Sequence, residues 1–462
     1  MVLMKLSTIV SKDFIFASVT ISFTSFFLIH SFYLYPYRAA LHKYFHLINL
    51  YMNEHCSSDF SIRILIPFCA VLFHPINTIQ FAVADIWGTV SISILVFGFV
   101  NDITPPKAAK RYYVAIGILS QMGPIISGTI VSSLMSAGTG SNNTLQTFTE
   151  AYQFITLIGV SAMYLMMFVY FFVRFKLMKS ENFGISEKRF KDMSNINQNQ
   201  NKIKNKKYSF WETLKFTFSH KYILSVAGIL CGYNMLNAIL EHTWKECLHL
   251  LYHGCPNGYT QTRALLTAFT AMLTFFALMF GGHNALRIVG WKATALMCPC
   301  VLFCGSILFY LYGITHTQHS FDEQTLQFIP ELPQCQIMVF VGALVLIFEK
   351  ALKYSTCDPT KEIAYLYLES EQKYKGKIAV DLLGAKAGKV LGALFNIFLV
   401  SAINPRAFFV SSQYCALIGI VIGGLIWIAS VSYLDGAIKR KQMDWLIDHI
   451  KWLNYIRKYI FV

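Results

Sequence analysis

The chain has 462 residues, of which 55% are hydrophobic and only 14% are charged, and its formal net charge at pH 7 is +15. Soluble globular domains carry roughly a quarter charged residues, so this composition excludes an ordinary soluble fold and indicates an integral membrane protein. The positive charge does not indicate nucleic-acid binding, because the sequence shows no folded basic domain and no recognisable nucleic-acid-binding motif.

Apolar runs of about twenty residues, long enough to cross ~30 Å of hydrocarbon as helices, recur along the chain. They predict an all-α integral membrane protein with about ten transmembrane helices. The first run is too long and too aromatic for a clear signal peptide, so it is predicted to be the first span. The ten predicted spans lie near residues 14 to 35, 76 to 100, 112 to 135, 153 to 173, 222 to 248, 263 to 285, 291 to 313, 336 to 352, 378 to 402 and 413 to 435.

The distribution of basic residues predicts the orientation, because Lys and Arg concentrate in cytoplasmic loops. With the N-terminus inside, the basic segments fall on the cytoplasmic side. The segments 136–151 and 315–334, both assigned outside, contain no Lys or Arg. We therefore predict that both termini are cytoplasmic and that the net charge is chiefly a result of membrane topology.

A polar, Asn- and Lys-rich segment at residues 174–221 divides the chain and predicts a basic cytoplasmic linker. Before it, residues 1–173 form a predicted half-bundle of four spans. After it, residues 222–435 form a predicted half-bundle of six spans, and residues 436–462 form a basic cytoplasmic tail.

A faint internal repeat links the two halves. "NDITPPK" at 101–107 and "CDPTK" at 357–361 each follow a span, and each is followed by two more spans. Many transporters consist of repeated halves with the substrate site at mid-depth between them. This alignment matches spans one to four with spans seven to ten, so we expect the first half to lack two helices at its beginning.

Ionisable residues inside apolar runs are expensive in lipid and usually face a polar interior. Asp85 lies about nine residues into the second span, where it either faces a cavity or makes a buried hydrogen bond to a neighbouring helix. Glu241 and Lys245 are four residues apart in the fifth span, so they either pair with each other or serve a site. Lys350 and Lys353 end the eighth span, where lysines can snorkel to the headgroups.

The ninth span contains two lysines, Lys386 and Lys389, accompanied by Gly384, Gly388 and Gly392. A glycine at every fourth position allows close helix approach. Lysines on such a helix must reach an aqueous path. They favour a phosphorylated solute, because each phosphate needs ammonium or guanidinium partners.

The sequence predicts neither an enzyme nor a metal site. Cys298 and Cys300 flank a proline inside an apolar run, with no nearby His or second Cys pair to complete a metal site. No Walker-type Gly-x-x-x-x-Gly-Lys-Ser/Thr loop is present, and no cofactor is expected.

Three separated stretches resemble one family in the right order. They are "ADIWGTVSISILVFGFVNDITPPKAAKRYY" at 84–113, "LEHTWKECL" at 240–248, and "KYSTCDPTKEIAYLYL" followed by "KGKIAVDLLGAKAGK" at 353–389. They are similar to the signature segments of the ATP/ADP translocase (nucleotide transporter) family of plastids, obligate intracellular bacteria and microsporidia. The similarity runs from about residue 30 to about residue 435.

The resemblance implies a major-facilitator-like helical bundle that exchanges ATP for ADP across a bilayer by alternating access. It also implies that Asp85, Glu241 and Lys389 stand where the family has charged residues important for transport. Lys245 and Lys361 match further family positions. Asp85 replaces the usual Glu, and the family has twelve spans where this chain begins at what resembles the third.

The Asn-, Lys-, Ile- and Phe-rich composition favours a microsporidian member, which would import host nucleotide into an intracellular parasite across its plasma membrane. A mitochondrial remnant is the alternative location. Two functional alternatives stay open, a proton-coupled net nucleotide importer and a shortened relative that no longer transports.

Overall fold

The computed structural model describes residues 12–43, 47–48, 71–96, 99–100, 115–137, 144–177, 215, 217–280, 288–317, 321–322, 327–328, 332–366, 376, 380, 384–402 and 408–460. Within them the chain is almost entirely helical, apart from the antiparallel strands β1 (Phe321–Asp322) and β2 (Gln327–Phe328). The helices are α1 (Lys12–Ile29), α2 (Arg38–Leu41), α3 (Pro75–Thr89), α4 (Met122–Ala137), α5 (Thr144–Phe172), α6 (Lys221–Leu251), α7 (Pro256–Phe280), α8 (Trp291–Thr317), α9 (Leu332–Leu352), α10 (Asp358–Leu366), α11 (Ala385–Ala402) and α12 (Phe408–Ile460).

Eight helical segments of the described chain are long and apolar enough to cross a membrane. This confirms the predicted all-α integral membrane protein. The two remaining predicted spans correspond to α3 and α11, which carry Asp85 and the lysine pair of the ninth span, so the count of ten stays a prediction. The eight segments are Asp13–Leu34, Ala115–Ser136, Phe148–Lys176, Lys221–Leu251, Pro256–Phe280, Trp291–His316, Pro333–Tyr365 and Gln413–Arg440.

Several helix ends differ from the sequence boundaries. Helix α5 begins at Thr144, inside the segment predicted to be an outside loop, and β1 and β2 lie inside the other such loop. Helix α12 continues through the predicted tail and is 53 residues long in all, which at 1.5 Å per residue is about 80 Å, well beyond the ~30 Å hydrocarbon layer. Most of the predicted linker at 174–221, and the "NDITPPK" repeat at 101–107, lie outside the described residues.

Four of the described helices pass directly into π-helical stretches. The stretches are His30–Leu34 after α1, Val90–Val96 after α3, Val173–Leu177 after α5, and Lys353–Cys357 after α9. A π-helix widens the turn, and it is frequent at functional sites. The fourth stretch coincides with the "KYSTC" letters of the family-like segment.

The chain divides into two compact units. Unit 1 is Met1–Gly117, Val131–Lys206 and Cys255–Gln261, and unit 2 is Ile118–Ile130, Lys207–Gly254 and Thr262–Val462.

Unit 1 is held by an aromatic and aliphatic core between α1, α5 and the π-helical stretch after α3. Phe16, Val90, Leu95 and Tyr170 are buried together. The rings of Phe16 and Tyr170 stack with centroids 3.9 Å apart. The Tyr170 hydroxyl donates a 2.5 Å hydrogen bond to Asp13, so the end of α5 is fixed to the first turn of α1.

Unit 2 is organised around α6, which packs against α9, α11 and α12. Trp427 of α12 is fully buried and meets Tyr233 of α6 edge to face, with ring centroids 5.7 Å apart. Gly232 lies beneath that tryptophan, where a Cβ would come within 3.1 Å of the Trp427 Cβ. Small residues on α6 therefore let large aromatic rings fill the core of unit 2.

The glycines of the ninth predicted span form a stripe, here called the glycine stripe, consisting of Gly384, Gly388 and Gly392. A Cβ added at these positions would lie 2.9 Å from the Ala227 oxygen, 2.5 Å from the Cys231 oxygen and 3.1 Å from the Met235 oxygen, all on α6. Both partners of the contact advance four residues at a time, so one face of each helix is in contact over about two turns. The expected close approach is confirmed. Beyond it, Asn396 Nδ2 donates to the Ala238 carbonyl oxygen at 3.2 Å.

The contact of the glycine stripe can be tested by replacing glycine with alanine at two positions, where we expect opposite effects on the free energy of unfolding. We expect Gly388→Ala to lower the free energy of unfolding in detergent by about 1 to 3 kcal/mol, because the new methyl group meets backbone that must move. Gly436→Ala on α12 is the control, since a Cβ there meets nothing within 4 Å. Helix propensity should make that variant about 0.5 to 1 kcal/mol more stable. Equal effects at both positions would show that the stripe does not set the helix spacing.

Candidate functional site

The "LEHTWKECL" segment lies near the C-terminal end of α6 and is fixed by two buried side chains. Trp244 is 1% exposed, and its Nε1 donates to the Val339 carbonyl oxygen at 2.9 Å. Gly342 of α9 leaves room for the indole ring, and the Thr243 hydroxyl lies 3.0 Å from the Tyr310 hydroxyl of α8. These contacts determine how α6 is turned about its axis against α8 and α9.

With Thr243 and Trp244 fixed inside, Glu241 joins two lysines. Its Oε1 lies 2.8 Å from Lys245 Nζ, one turn along α6, and its Oε2 lies 3.5 Å from Lys350 Nζ on α9. The pairing of Glu241 with Lys245 was one of the sequence alternatives. Lys350, which the sequence placed at a snorkelling position, instead has only 25% of its side chain exposed and completes an ion-pair group between two helices.

A third lysine follows in the π-helical stretch after α9. Lys353 Nζ lies 3.1 Å from Asp358 Oδ2 and 4.0 Å from the centre of the Tyr354 ring. We call Lys245, Lys350 and Lys353, with their partners Glu241 and Asp358, the lysine cluster. The exposed fraction of these five side chains lies between 21% and 36%, a degree of burial at which charges are incompletely hydrated.

Residues 358–366, which follow, form helix α10, and this part of the polar stretch is packed against other helices. Trp291 Nε1 of α8 donates to the Thr360 carbonyl oxygen at 3.0 Å, and the Tyr222 hydroxyl of α6 donates to the Ala364 carbonyl oxygen at 2.7 Å. These two bonds hold α10 against α8 and α6. Lys361 on this helix has 14% of its side chain exposed and lies 3.9 Å from Glu362.

Lys386 and Lys389 lie on α11, outside the glycine stripe, and both are exposed in the absence of a bilayer. No ion pair within the described residues links either lysine to the lysine cluster. The contacts of the stripe with α6 fix the rotation of α11, and therefore the direction in which these two lysines leave the helix.

Asp85 belongs to unit 1 and lies on the exposed face of α3. Two contacts hold this helix in unit 1. The Trp87 ring lies 5.1 Å from the Phe23 ring of α1, and Gln80 Nε2 donates a short hydrogen bond to the Tyr152 hydroxyl of α5.

The arrangement in unit 2 is suited to binding an anion with several charges. Lys245 of α6 and Lys350 of α9 share the carboxylate of Glu241, and Lys353 follows Lys350 by about one helical turn. The carboxylates of Glu241 and Asp358 balance these three lysines only in part. An incoming phosphate group competes for lysines that already have partners. Charge-assisted hydrogen bonds of this kind are the strong ones in proteins.

Comparisons with known proteins agree on one family. The family model described as TLC ATP/ADP transporter matches residues 1–437. ADP,ATP carrier protein 1 of Chlamydia muridarum is 28% identical over 442 residues, covering 93% of this chain and 77% of the relative. ADP,ATP carrier protein 3 of Rickettsia bellii is 27% identical, covering 93% and 82%. No solved structure matches the chain significantly.

The ion-pair group around Glu241 can be measured by a double-mutant cycle. We expect Glu241→Gln and Lys350→Gln to be coupled by about 0.5 to 1 kcal/mol in the free energy of unfolding, since the pair joins two helices but is partly hydrated. Lys439→Gln on α12 is the matched control. That lysine pairs with Asp435 at 2.9 Å but has 69% of its side chain exposed, so its loss should cost less than about 0.5 kcal/mol. Additive effects of the two cluster variants would mean that the pair contributes nothing to folding.

Proposed function

The chain belongs to the TLC ATP/ADP transporter family, and from this premise we propose that it is a membrane carrier that exchanges ATP for ADP. The names of the relatives from Chlamydia and Rickettsia support this function. The protein is a carrier and not an enzyme, so its residues have to bind, compensate and release a charged nucleotide without breaking a bond.

The observation that carries the proposal is the ion-pair group of Glu241, Lys245 and Lys350. In this structure Glu241 compensates two ammonium groups on different helices. A nucleotide phosphate would take over one or both lysines and leave Glu241 with fewer partners. Because the lysines are paired with Glu241 when no nucleotide is bound, the empty carrier avoids the cost of uncompensated ammonium groups in the membrane.

The other charged candidates have supporting roles in this proposal. Lys361 and the exposed Lys386 and Lys389 would provide further ammonium groups along the path of the phosphates. Asp85 of unit 1 would act as a coupling or gating carboxylate, as the sequence resemblance implies.

We also propose that transport follows an alternating-access cycle, in which rigid bodies move around the bound substrate. The protein is a multi-pass membrane protein. The scarcity of Lys and Arg in the segments 136–151 and 315–334 supports cytoplasmic termini. The plasma membrane of an intracellular parasite is the proposed location, with a mitochondrial remnant as the alternative.

Exchange is tested with the purified chain in proteoliposomes. We expect uptake of radiolabelled ATP to be fast when the vesicles contain ADP and close to background when they are empty. Uptake into empty vesicles driven by a pH gradient would indicate a net importer. Absence of uptake in both conditions, from protein that is folded and inserted, would indicate a relative that no longer transports.

Two variants test the lysines. Lys350→Gln and Lys389→Gln should each weaken ATP binding by about 1.5 to 3 kcal/mol, the contribution of a hydrogen bond to a charged group, which is roughly a ten- to hundredfold rise in the ATP concentration for half-maximal exchange. Lys439→Gln should exchange like the unmodified protein. Membrane insertion is compared by the amount of monodisperse protein extracted. Normal exchange by the Lys350→Gln or the Lys389→Gln protein would remove that lysine from the substrate path.

A further inference from the structure

Glu349, a carboxyl group of unit 2, takes no part in the ion pairs of the lysine cluster. Glu349 on α9 is 0% exposed, and neither of its carboxyl oxygens has a hydrogen-bond partner within the described residues. It precedes Lys350 in the sequence, but its side chain leaves the helix in a different direction and Lys350 Nζ pairs with Glu241 instead. Buried carboxyl groups without partners are uncommon, because an ionised carboxylate without compensation is costly to bury.

Groups of α6, α8 and α9 lie near Glu349. Tyr233 of α6 lies next to it, and Glu241 of the same helix lies within electrostatic range. On the α8 side, Cys298 Sγ donates to the Glu349 backbone carbonyl oxygen at 3.5 Å. Lys350 of its own helix and Lys353 of the following π-helical stretch also act on it electrostatically, while their ammonium groups are held by other acids.

The charge balance of the lysine cluster depends on the protonation of Glu349. The cluster contains three lysines and two paired carboxylates, so it carries one positive charge if Glu349 is neutral. An ionised Glu349 would cancel that charge. A polyphosphate is therefore attracted when Glu349 holds a proton, and the attraction is lost when the proton leaves.

Resting on the proposed exchange function, we propose that Glu349 is a proton-binding site whose occupancy controls nucleotide binding at the lysine cluster. The proton and the nucleotide then bind cooperatively, and each must strengthen the binding of the other by the same factor. Glu349 does not contact the phosphates but acts through the net charge of the lysines.

The test compares pH profiles of ATP/ADP exchange in proteoliposomes with the same pH on both sides. We expect the unmodified protein to exchange at least about fivefold faster at low pH than at high pH, the lower end of typical couplings between sites. Glu349→Gln, which resembles the protonated carboxyl group, should abolish this ratio. Because nucleotide ionisation is identical in both assays, the difference between the two profiles belongs to the protein.

Glu246→Gln is the matched control. It makes the same substitution in unit 2, at a glutamate of α6 that pairs with His242 at 3.6 Å, and it should keep the ratio of the unmodified protein. An unchanged ratio in Glu349→Gln, or no pH dependence in the unmodified protein, would overturn the proton site and leave the exchange function intact. Absence of exchange at every pH in the unmodified protein would instead overturn the proposed function.

A second readout covers a variant that folds but does not transport. ATP should raise the melting temperature of purified Glu349→Gln protein equally at low and high pH, whereas the unmodified protein should be stabilised by ATP mainly at low pH. If Glu349→Gln does not fold, Glu349→Asp serves in the same binding assay. A pH profile shifted from that of the unmodified protein then supports the site, and an identical profile contradicts it.

Discussion

Contact between backbones of α6 and α11 is the constraint on which the rest of unit 2 depends. Lipid tails are as apolar as leucine, so helices in a bilayer gain little from the hydrophobic effect and associate through close packing and hydrogen bonds. The glycine stripe provides such packing. With α6 held there on one side and by Trp244 and Gly342 on another, few rotations of α6 are possible, and Glu241 and Lys245 point in a fixed direction.

The parts of this arrangement that depend on local spacing could be predicted from the sequence. Hydropathy predicts the spans because each must satisfy its own backbone inside the bilayer. The four-residue spacing of Gly384, Gly388 and Gly392 predicts a close helix contact, and the spacing of Glu241 and Lys245 predicts one of the two ion pairs. Each of these predictions uses only the period of an α-helix.

The parts that depend on which helices become neighbours could not be predicted in this way. Lys350 pairs with Glu241 across 109 residues of sequence, and only the packing of α6 against α9 brings them together. Glu349 precedes Lys350 at the end of the span, and its position in the sequence is typical of a residue that faces the lipid headgroups. The π-helical stretch after α9 carries the helix on past its predicted end at residue 352, so positions expected at the membrane surface are buried among other helices.

The π-helical stretch Lys353–Cys357 also sets the angular phase between the residues before it and those after it. Each residue of an α-helix advances about 100° around the axis, and each residue of a wider π-helical turn advances less. Over five residues this difference rotates α10 relative to a straight continuation of α9. The side of the helix that presents Asp358 and Lys361 is therefore decided by the width of one turn. A shift of that widened turn along the chain would redirect several charges together, with the backbone remaining helical throughout.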